Sequence, residues 1–342
     1  MDTNVFTTRQ LVAIVDDLRI PRTFLLDTFF PNVHNSDTEV LDFDIITKGR
    51  KLAPFVSPLV AGKPVKGRGQ VTKTFKPAYV KPKDSVKPNT PLKRRPGERY
   101  AGDMTPQQRH DQIVMDMMED QKASITRRKE WMAAQAFDTG KVVVEGEDYP
   151  KVEVDFGRDE SLTKQLLLAA RWGEENVSVL DDLETWAGEV QTLSGAAPTD
   201  VVLDPKAWKL ARKDANFKEV LDNRRGTTGQ VELGPLSIPV TGARYVGNTG
   251  DFDFWVYQET YEDDDGNPAQ LMPDNTVWLG SAGVEGVQAH GAILDPRAGY
   301  AALEYYPTNW ISDDPAIEWL MLQSAPLVIP SRVNATARIR VR

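Results

Sequence analysis

The chain has 342 residues, 40% hydrophobic and 27% charged, with 24 glycines and 23 prolines, which is the make-up of a folded globular protein. At about 150 residues per domain it has room for two compact units, or for one large body with long excursions. It contains no cysteine, which excludes disulfides, thiol nucleophiles, iron–sulfur clusters and cysteine-based zinc sites. No run approaches the roughly 18 apolar residues that span a bilayer, and Met1-Asp2-Thr3-Asn4 lacks the basic start of a secretory signal, so a cytoplasmic life is the expectation.

Residues 1 to 47 offer a short amphipathic helix over Thr8 to Leu18, with Leu11, Val12, Ile14, Val15 and Leu18 near helical spacing. An aromatic cluster at Phe24, Phe29 and Phe30 follows, and a cluster of that size requires a partner. From Val40 to Ile46 apolar and acidic residues alternate, the period of a half-buried strand.

The net charge of -9 is strongly segregated beyond that point. Between Lys48 and Arg99 stand fifteen basic and two acidic residues, a balance of +13 that leaves -22 for the rest. The same segment holds eight of the 23 prolines, which forbid a helix and keep the chain extended. A basic, extended arm therefore interrupts an acidic body. With few hydrophobic residues it cannot fold alone, and its charge suits the acidic surface of another copy of the chain. A solvated loop is one alternative, and a phosphate or nucleic-acid patch around Gly67-Arg68-Gly69 another, making the protein a non-enzymatic nucleic-acid binder; only Phe75 and Tyr79 stand nearby for base stacking.

Thr105-Pro106-Gln107-Gln108 then starts a helix with a mechanism: Thr105 as N-cap, proline in the first turn, Gln108 to close a capping box. Val114, Met118, Ile125, Met132 and Ala136 trace one stripe, broadened by Ile113, Met117 and Trp131, and Gly140 supplies the C-cap. Lys141 to Phe156 reads as a hairpin, while Leu162 to Trp172 fits helix or buried strand. Further on, helices are predicted over Asp181 to Leu193 and from Asp204-Pro205 to Lys213. Strands are predicted at 200 to 203, 236 to 240, 252 to 257 and 276 to 279, so the middle third is a small α+β unit. Short strand-like runs punctuated by prolines lead to Ala337 through Arg342, whose one basic face suits an edge strand or an interface or DNA-facing strip.

Chemistry is not advertised. His34, His110 and His290 are far apart in sequence, and no P-loop, nucleophile elbow, zinc helix or dinucleotide fingerprint is present, so neither enzyme activity, metal nor cofactor is expected. The turn Asp263-Asp264-Asp265-Gly266 resembles part of a calcium loop, but aligning Gly266 at its sixth position puts Tyr261 first and Met272 twelfth, where carboxylates are needed. It reads as a plain turn.

Several ordered runs do resemble a family. Val56-Ser57-Pro58-Leu59-Val60-Ala61-Gly62, Gly67-Arg68-Gly69 and the run from Phe75 to Lys83 are similar to the extended loop of the major capsid proteins of lambda-like tailed phages. Val202 to Trp208, Asp222 to Gly226, Met272 to Val277, Tyr306 to Trp310 and Gln323 to Leu327 resemble the same family in the same order. The resemblance implies an α+β fold of the tailed-phage and herpesvirus capsid type. Its parts would be an N-terminal arm over 1–47, an extended loop over 48–100, a peripheral domain with a spine helix over 101–177, an axial domain over 178–295, and a return to the peripheral domain over 296–342.

It also implies a homo-oligomer of hexameric and pentameric capsomers that assembles in the host cytoplasm into the icosahedral virion shell around double-stranded DNA. Expected partners are a separate scaffolding protein, since only arm and loop precede the spine helix, a trimeric decoration protein, a portal, and packaged DNA by nonspecific proximity. Neither a membrane nor covalent crosslinking is expected. The candidate subunit-contact residues are Lys63, Lys66, Arg68, Lys73, Lys76, Tyr79, Lys81, Lys83, Arg224 and Arg225, with Asp313, Asp314 and Glu318 as acidic counterparts.

Overall fold

The structure is a computed structural model that describes residues 6–18, 22–38, 40–47, 69–94, 98, 104–146, 149–221, 224–227, 230–233, 240–263 and 266–342. The chain opens with α1 (Thr8–Asp17), where Thr7 and Gln10 close a capping box. A two-residue strand β1 (Arg22–Thr23) leads into the short helix α2 (Phe24–Phe29), then β2 (Asn32–Asn35) and β3 (Leu41–Thr47). β4 (Gly69–Phe75) runs back antiparallel to β3, from Thr47 against Gly69 to Leu41 against Phe75, and β5 (Lys83–Val86) follows.

α3 (Pro106–Thr139) is the predicted long helix, 34 residues or about 51 Å. The Thr105 hydroxyl accepts from the Gln108 amide at 3.2 Å and the Gln108 side chain accepts the Thr105 amide at 2.8 Å, so two otherwise unpaired donors are satisfied reciprocally. Gly140 ends the helix with φ +71°, a left-handed conformation that glycine adopts without penalty. The stripe is buried as its spacing predicts, while Met117 and Trp131 pack at its margin. β6 (Lys141–Gly146) and β7 (Tyr149–Asp155) make the expected hairpin.

The stretch 162–172 becomes a three-residue strand, β8 (Thr163–Gln165), between two single helical turns. α4 (Val179–Ser194), β9 (Asp200–Leu203), α5 (Pro205–Ala211) and α6 (Ala215–Val220) come next. β10 (Arg224–Thr227) and β11 (Gln230–Leu233) pair as a hairpin, followed by β12 (Val240–Thr241) and β13 (Ala243–Asn248). Of the strand expected at 236–240, only Val240 lies within the described residues. The remaining strands are β14 (Asp253–Tyr257), β15 (Thr260–Glu262), β16 (Pro268–Gln270), β17 (Thr276–Gly280), β18 (Gly286–His290), β19 (Tyr306–Ser312), β20 (Ile317–Gln323), β21 (Pro326–Pro330) and β22 (Ala337–Arg340).

Six strands join in the order β13, β14, β9, β17, β22, β8. α4, α5 and α6 contribute to the apolar layer on this sheet, with Trp172, Trp186, Phe217 and Phe254 buried in it. β22 is thus an interior strand, with β17 on one side and β8 on the other, rather than the edge strand its arginines suggest. Leu162, Leu166 and Trp172 share this core with Ala337, Ile339 and Val341.

A second core forms where the C-terminal half of α3 meets α2, the β6–β7 hairpin and the sheet β2-β18-β21. Here the predicted aromatic cluster finds its partners: Phe29 lies 4.7 Å from Phe137 and Phe24 lies 5.7 Å from Tyr257, ring centre to ring centre. Burying each of those phenylalanines is worth about 1.5–3 kcal/mol, which is how the N-terminal segment is held. A third core packs α1 and the first half of α3 on β5 and β20, next to β19.

Candidate assembly surface

The basic arm has two distinct parts in the structure. β3 and β4 form a two-stranded ribbon, and the stretch between them, 48–68, with Lys63, Lys66 and Arg68, lies outside the described residues. The ribbon is fixed at its base, where Phe43 and Phe75 are buried and Phe43 meets Phe156 at 5.8 Å. The Lys73 ammonium donates to the Asp155 carbonyl, which ties β4 to the end of β7.

Beyond Lys76, itself exposed, the chain lies on its own body. Pro77 and Ala78 are buried, and the Tyr79 hydroxyl donates to the Ala292 carbonyl at 2.7 Å while accepting from the Leu294 amide. The Lys81 ammonium sits 4.7 Å over the Tyr79 ring, and that of Lys83 3.8 Å over Trp319 and 4.9 Å over Trp310. β5 then pairs antiparallel with β20. Lys73, Tyr79, Lys81 and Lys83 are therefore engaged within the chain, a difference from the extended arm that the prolines and charge suggest. The reason is the apolar content of 77–86: Pro77, Ala78 and Val86 have a surface of their own chain to cover.

The three acidic candidates separate as well. Asp313 and Asp314 are exposed in the turn between β19 and β20. Glu318 is buried and committed, accepting from His110 Nε2 at 2.6 Å and from Asn309 at 3.1 Å. Burial pushes the Glu318 carboxyl up, but its hydrogen bonds with His110 and Asn309 and the charge of His110 hold it below the usual range. The same hydrogen bond raises His110 in spite of its partial burial. His110 was not a sequence candidate; its place beside Ile113 and Val114, on the face that packs on β20, is the one signal that could have found it. Arg224 and Arg225 stand on the β10–β11 hairpin, in register with Leu233 and Glu232.

Charged groups also stitch α3 into the body. Lys129, almost fully buried, donates to Glu304 at 2.6 Å and to Gln288 at 3.2 Å. Burial would lower the Lys129 ammonium, and Tyr305 and Glu304 more than offset it. His290, fully enclosed near this pair, is held down to about 4 by burial and by Lys129, and so stays neutral. Among the described residues there is no group of three potential metal ligands, and no helix is long and apolar enough to cross a membrane. The Asp263 turn closes on itself, its carbonyl accepting the Gly266 amide at 2.9 Å.

A long helix with a hairpin at its end, a six-stranded sheet under helices, and a separate two-stranded ribbon together make the tailed-phage capsid fold. The crystal structure of a prophage capsid protein from Escherichia coli CFT073 superposes with a TM-score of 0.78, covering 98% of this chain and 99% of that one at 25% identity. The capsid of Ralstonia phage GP4 shares the fold at a TM-score of 0.53 and 12% identity, over 99% of this chain and 94% of that one. Residues 7–341 match the family described as phage major capsid protein E. The major capsid protein of Escherichia phage lambda is 33% identical over 330 residues, and that of Escherichia phage N15 34% over 333, each comparison covering 95% of this chain and 96% of the relative. The chain belongs to the phage major capsid protein E family, a structural family of phage head shells.

Proposed function

We propose that this chain builds the icosahedral shell of a phage head from hexameric and pentameric capsomers, enclosing double-stranded DNA, with assembly in the host cytoplasm. Family membership over nearly the whole chain is the observation that carries the reading. In this scheme α3 and the β6–β7 hairpin form the peripheral part, and the six-stranded sheet with its helices the axial part. The segment 48–68, with six basic and no acidic residues, lies over a neighbouring subunit. Lys63, Lys66 and Arg68 are the candidate cations of that contact, Asp313 and Asp314 its candidate acidic partners, and Arg224 and Arg225 a second basic contact. A separate scaffolding protein guides closure, a portal occupies one vertex, and a trimeric decoration protein reinforces the outer surface. Each subunit makes several such contacts at once, so each can be weak.

Sedimentation velocity with negative-stain imaging tests this. The chain, expressed with the other head proteins of its phage, should give closed shells or capsomers. A chain that stays monomeric in their presence overturns the reading. Charge reversal at Lys66 and Arg68 should abolish shells while leaving melting unchanged, and normal shells from that double variant would remove the loop contact.

A further inference from the structure

The six-stranded sheet ends in β8 on one side and β13 on the other, and the two edges carry complementary surfaces. Beside β8, Leu167 and Leu168 project side by side, 63% and 82% exposed. Leu168 has φ +49°, a conformation that bulky L-residues seldom adopt. The loop that holds them is pinned at both ends to β22 and its continuation. The Leu166 amide donates to the Arg340 carbonyl at 2.8 Å and the Trp172 amide to the Val341 carbonyl at 3.0 Å. Trp172 is fully buried, stacks on Trp186 at 6.0 Å, and donates its indole N–H to Asp182 at 2.9 Å. Two leucines are thus held out toward solvent on a rigid base, which no packing need of the single chain explains.

Beside β13, a groove of about 440 Å³ opens between α5 and the sheet. Trp208, Val256 and Ala243 give it an apolar floor, and Lys209, Arg212 and Arg244 an exposed basic rim. The charges of the two edges are opposite. The stretch 160–189, on the leucine side, has seven acidic and two basic residues, whereas 205–218, on the groove side, has five basic and one acidic.

We propose that Leu167 and Leu168 of one subunit seat in the Trp208 groove of the next, a head-to-tail contact repeated around the capsomer. The inference rests on the capsomer reading above and adds to it which surfaces meet. Within one chain the leucines do not fill the groove: both are exposed and neither lines it. The contact joins different patches, so a single pair of subunits leaves one of each unfilled, and only a closed ring satisfies all of them. A polyanion would suit the basic rim but would leave the leucines unexplained.

The absence of native cysteine makes the test direct. Leu168→Cys is combined with Ala243→Cys in one variant and with Gln258→Cys in another, and shells of each are treated with a short bis-maleimide and run under denaturing conditions. At least one pair should give a ladder ending at covalent pentamers and hexamers, with neither single variant passing a dimer. Assembled shells that yield no ladder from either pair, or a ladder that stops at dimers, overturn this contact and leave the capsid reading standing. A parent chain that never assembles overturns both. Leu168→Asp, read alongside, should cut shell yield at least tenfold without lowering the melting temperature; unchanged yield also overturns the contact.

Discussion

The hydroxyl of Tyr257 donates to the Glu130 carboxylate at 2.9 Å, so a strand of the six-stranded sheet and the long helix meet at one buried acid. The same carboxylate accepts the Leu25 and Leu26 amides at 2.9 and 3.0 Å. Three parts of the chain, α2, α3 and β14, converge on it.

Burial raises Glu130 from 4.5 to about 7, against those three donors. A raised carboxyl keeps its proton in the folded chain over an interval in which the unfolded chain has lost it. This group therefore withdraws stability as pH rises from about 4.5 to about 7, by an amount on the order of 3 kcal/mol. Glu130→Gln should flatten that part of the profile. It should also cost about 1–3 kcal/mol near pH 5, because an amide N–H then faces a backbone donor. Thermal melts near pH 5 and pH 8 decide it; a variant with the parent's pH slope contradicts the assignment.

The His110–Glu318 pair also loses stability as pH rises, but from a higher starting pH. Raised above its ordinary 6.5, His110 stabilises the fold fully below that value, and the contribution fades as pH rises through its raised value. Glu318, held below 4.5, loses its share only when acid protonates it. The pair is strongest between about 4.5 and 6.5. His110→Ala should cost about 1–3 kcal/mol near pH 6, leaving Glu318 buried with Asn309 alone, and much less near pH 9. Equal losses at both values would mean that packing, not charge, is what the histidine supplies.

Asp204 is 1% exposed and accepts three backbone amides, from Lys206 at 2.9 Å, Ala207 at 2.8 Å and Thr276 at 3.1 Å. It caps α5 and fastens that helix to β17 at once. Asp204→Ala should cost about 2–4 kcal/mol, more than a surface cap, since buried amides lose their acceptor. Asp204→Asn, which keeps an acceptor, should recover at least half of the loss in a denaturant titration.

At Gly286 an added Cβ would stand 2.3 Å from the Phe29 carbonyl oxygen and 2.3 Å from the Phe30 ring. The neighbour is backbone, so nothing flexible can yield. Gly286→Ala should lower stability by about 2–3 kcal/mol and detach α2 first. Faster proteolysis near Phe24 to Phe30, with the rest of the chain protected, is the expected pattern.

Local signals in the sequence were sufficient where the partner was also local. Thr105, Gln108 and Gly140 announce both ends of α3, and β9 is read to the residue from Asp200 to Leu203. What depends on distant partners was not legible. Phe24, Phe29 and Phe30 look unpartnered because Phe137 and Tyr257 lie more than a hundred residues on. Arg338 and Arg340 suggest an edge strand because β8 is too short to predict, and Arg338 is in fact paired with Asp138 at 3.1 Å. In the sequence Glu318 is an acidic counterpart for a subunit contact; only the fold brings His110 to it. Of the arm, its basic character was plain, but the return of Tyr79 and Lys83 to their own body depends on Ala292, Trp310 and Trp319, all remote in sequence.

The pairing of Thr163 with Arg338 sets a schedule for synthesis. β8 (Thr163–Gln165) emerges from the ribosome well before its neighbour in the sheet, β22 (Ala337–Arg340), is made. Until then the loop of Leu167 and Leu168 has neither the Arg340 nor the Val341 carbonyl to hold it. Non-local pairing of this kind forms late in folding. A nascent chain on a crowded polysome, or one released early by a stop codon, has no finished edge to offer its neighbours. The edge that carries Leu167 and Leu168 is finished only in chains in which β22 has been made and has docked.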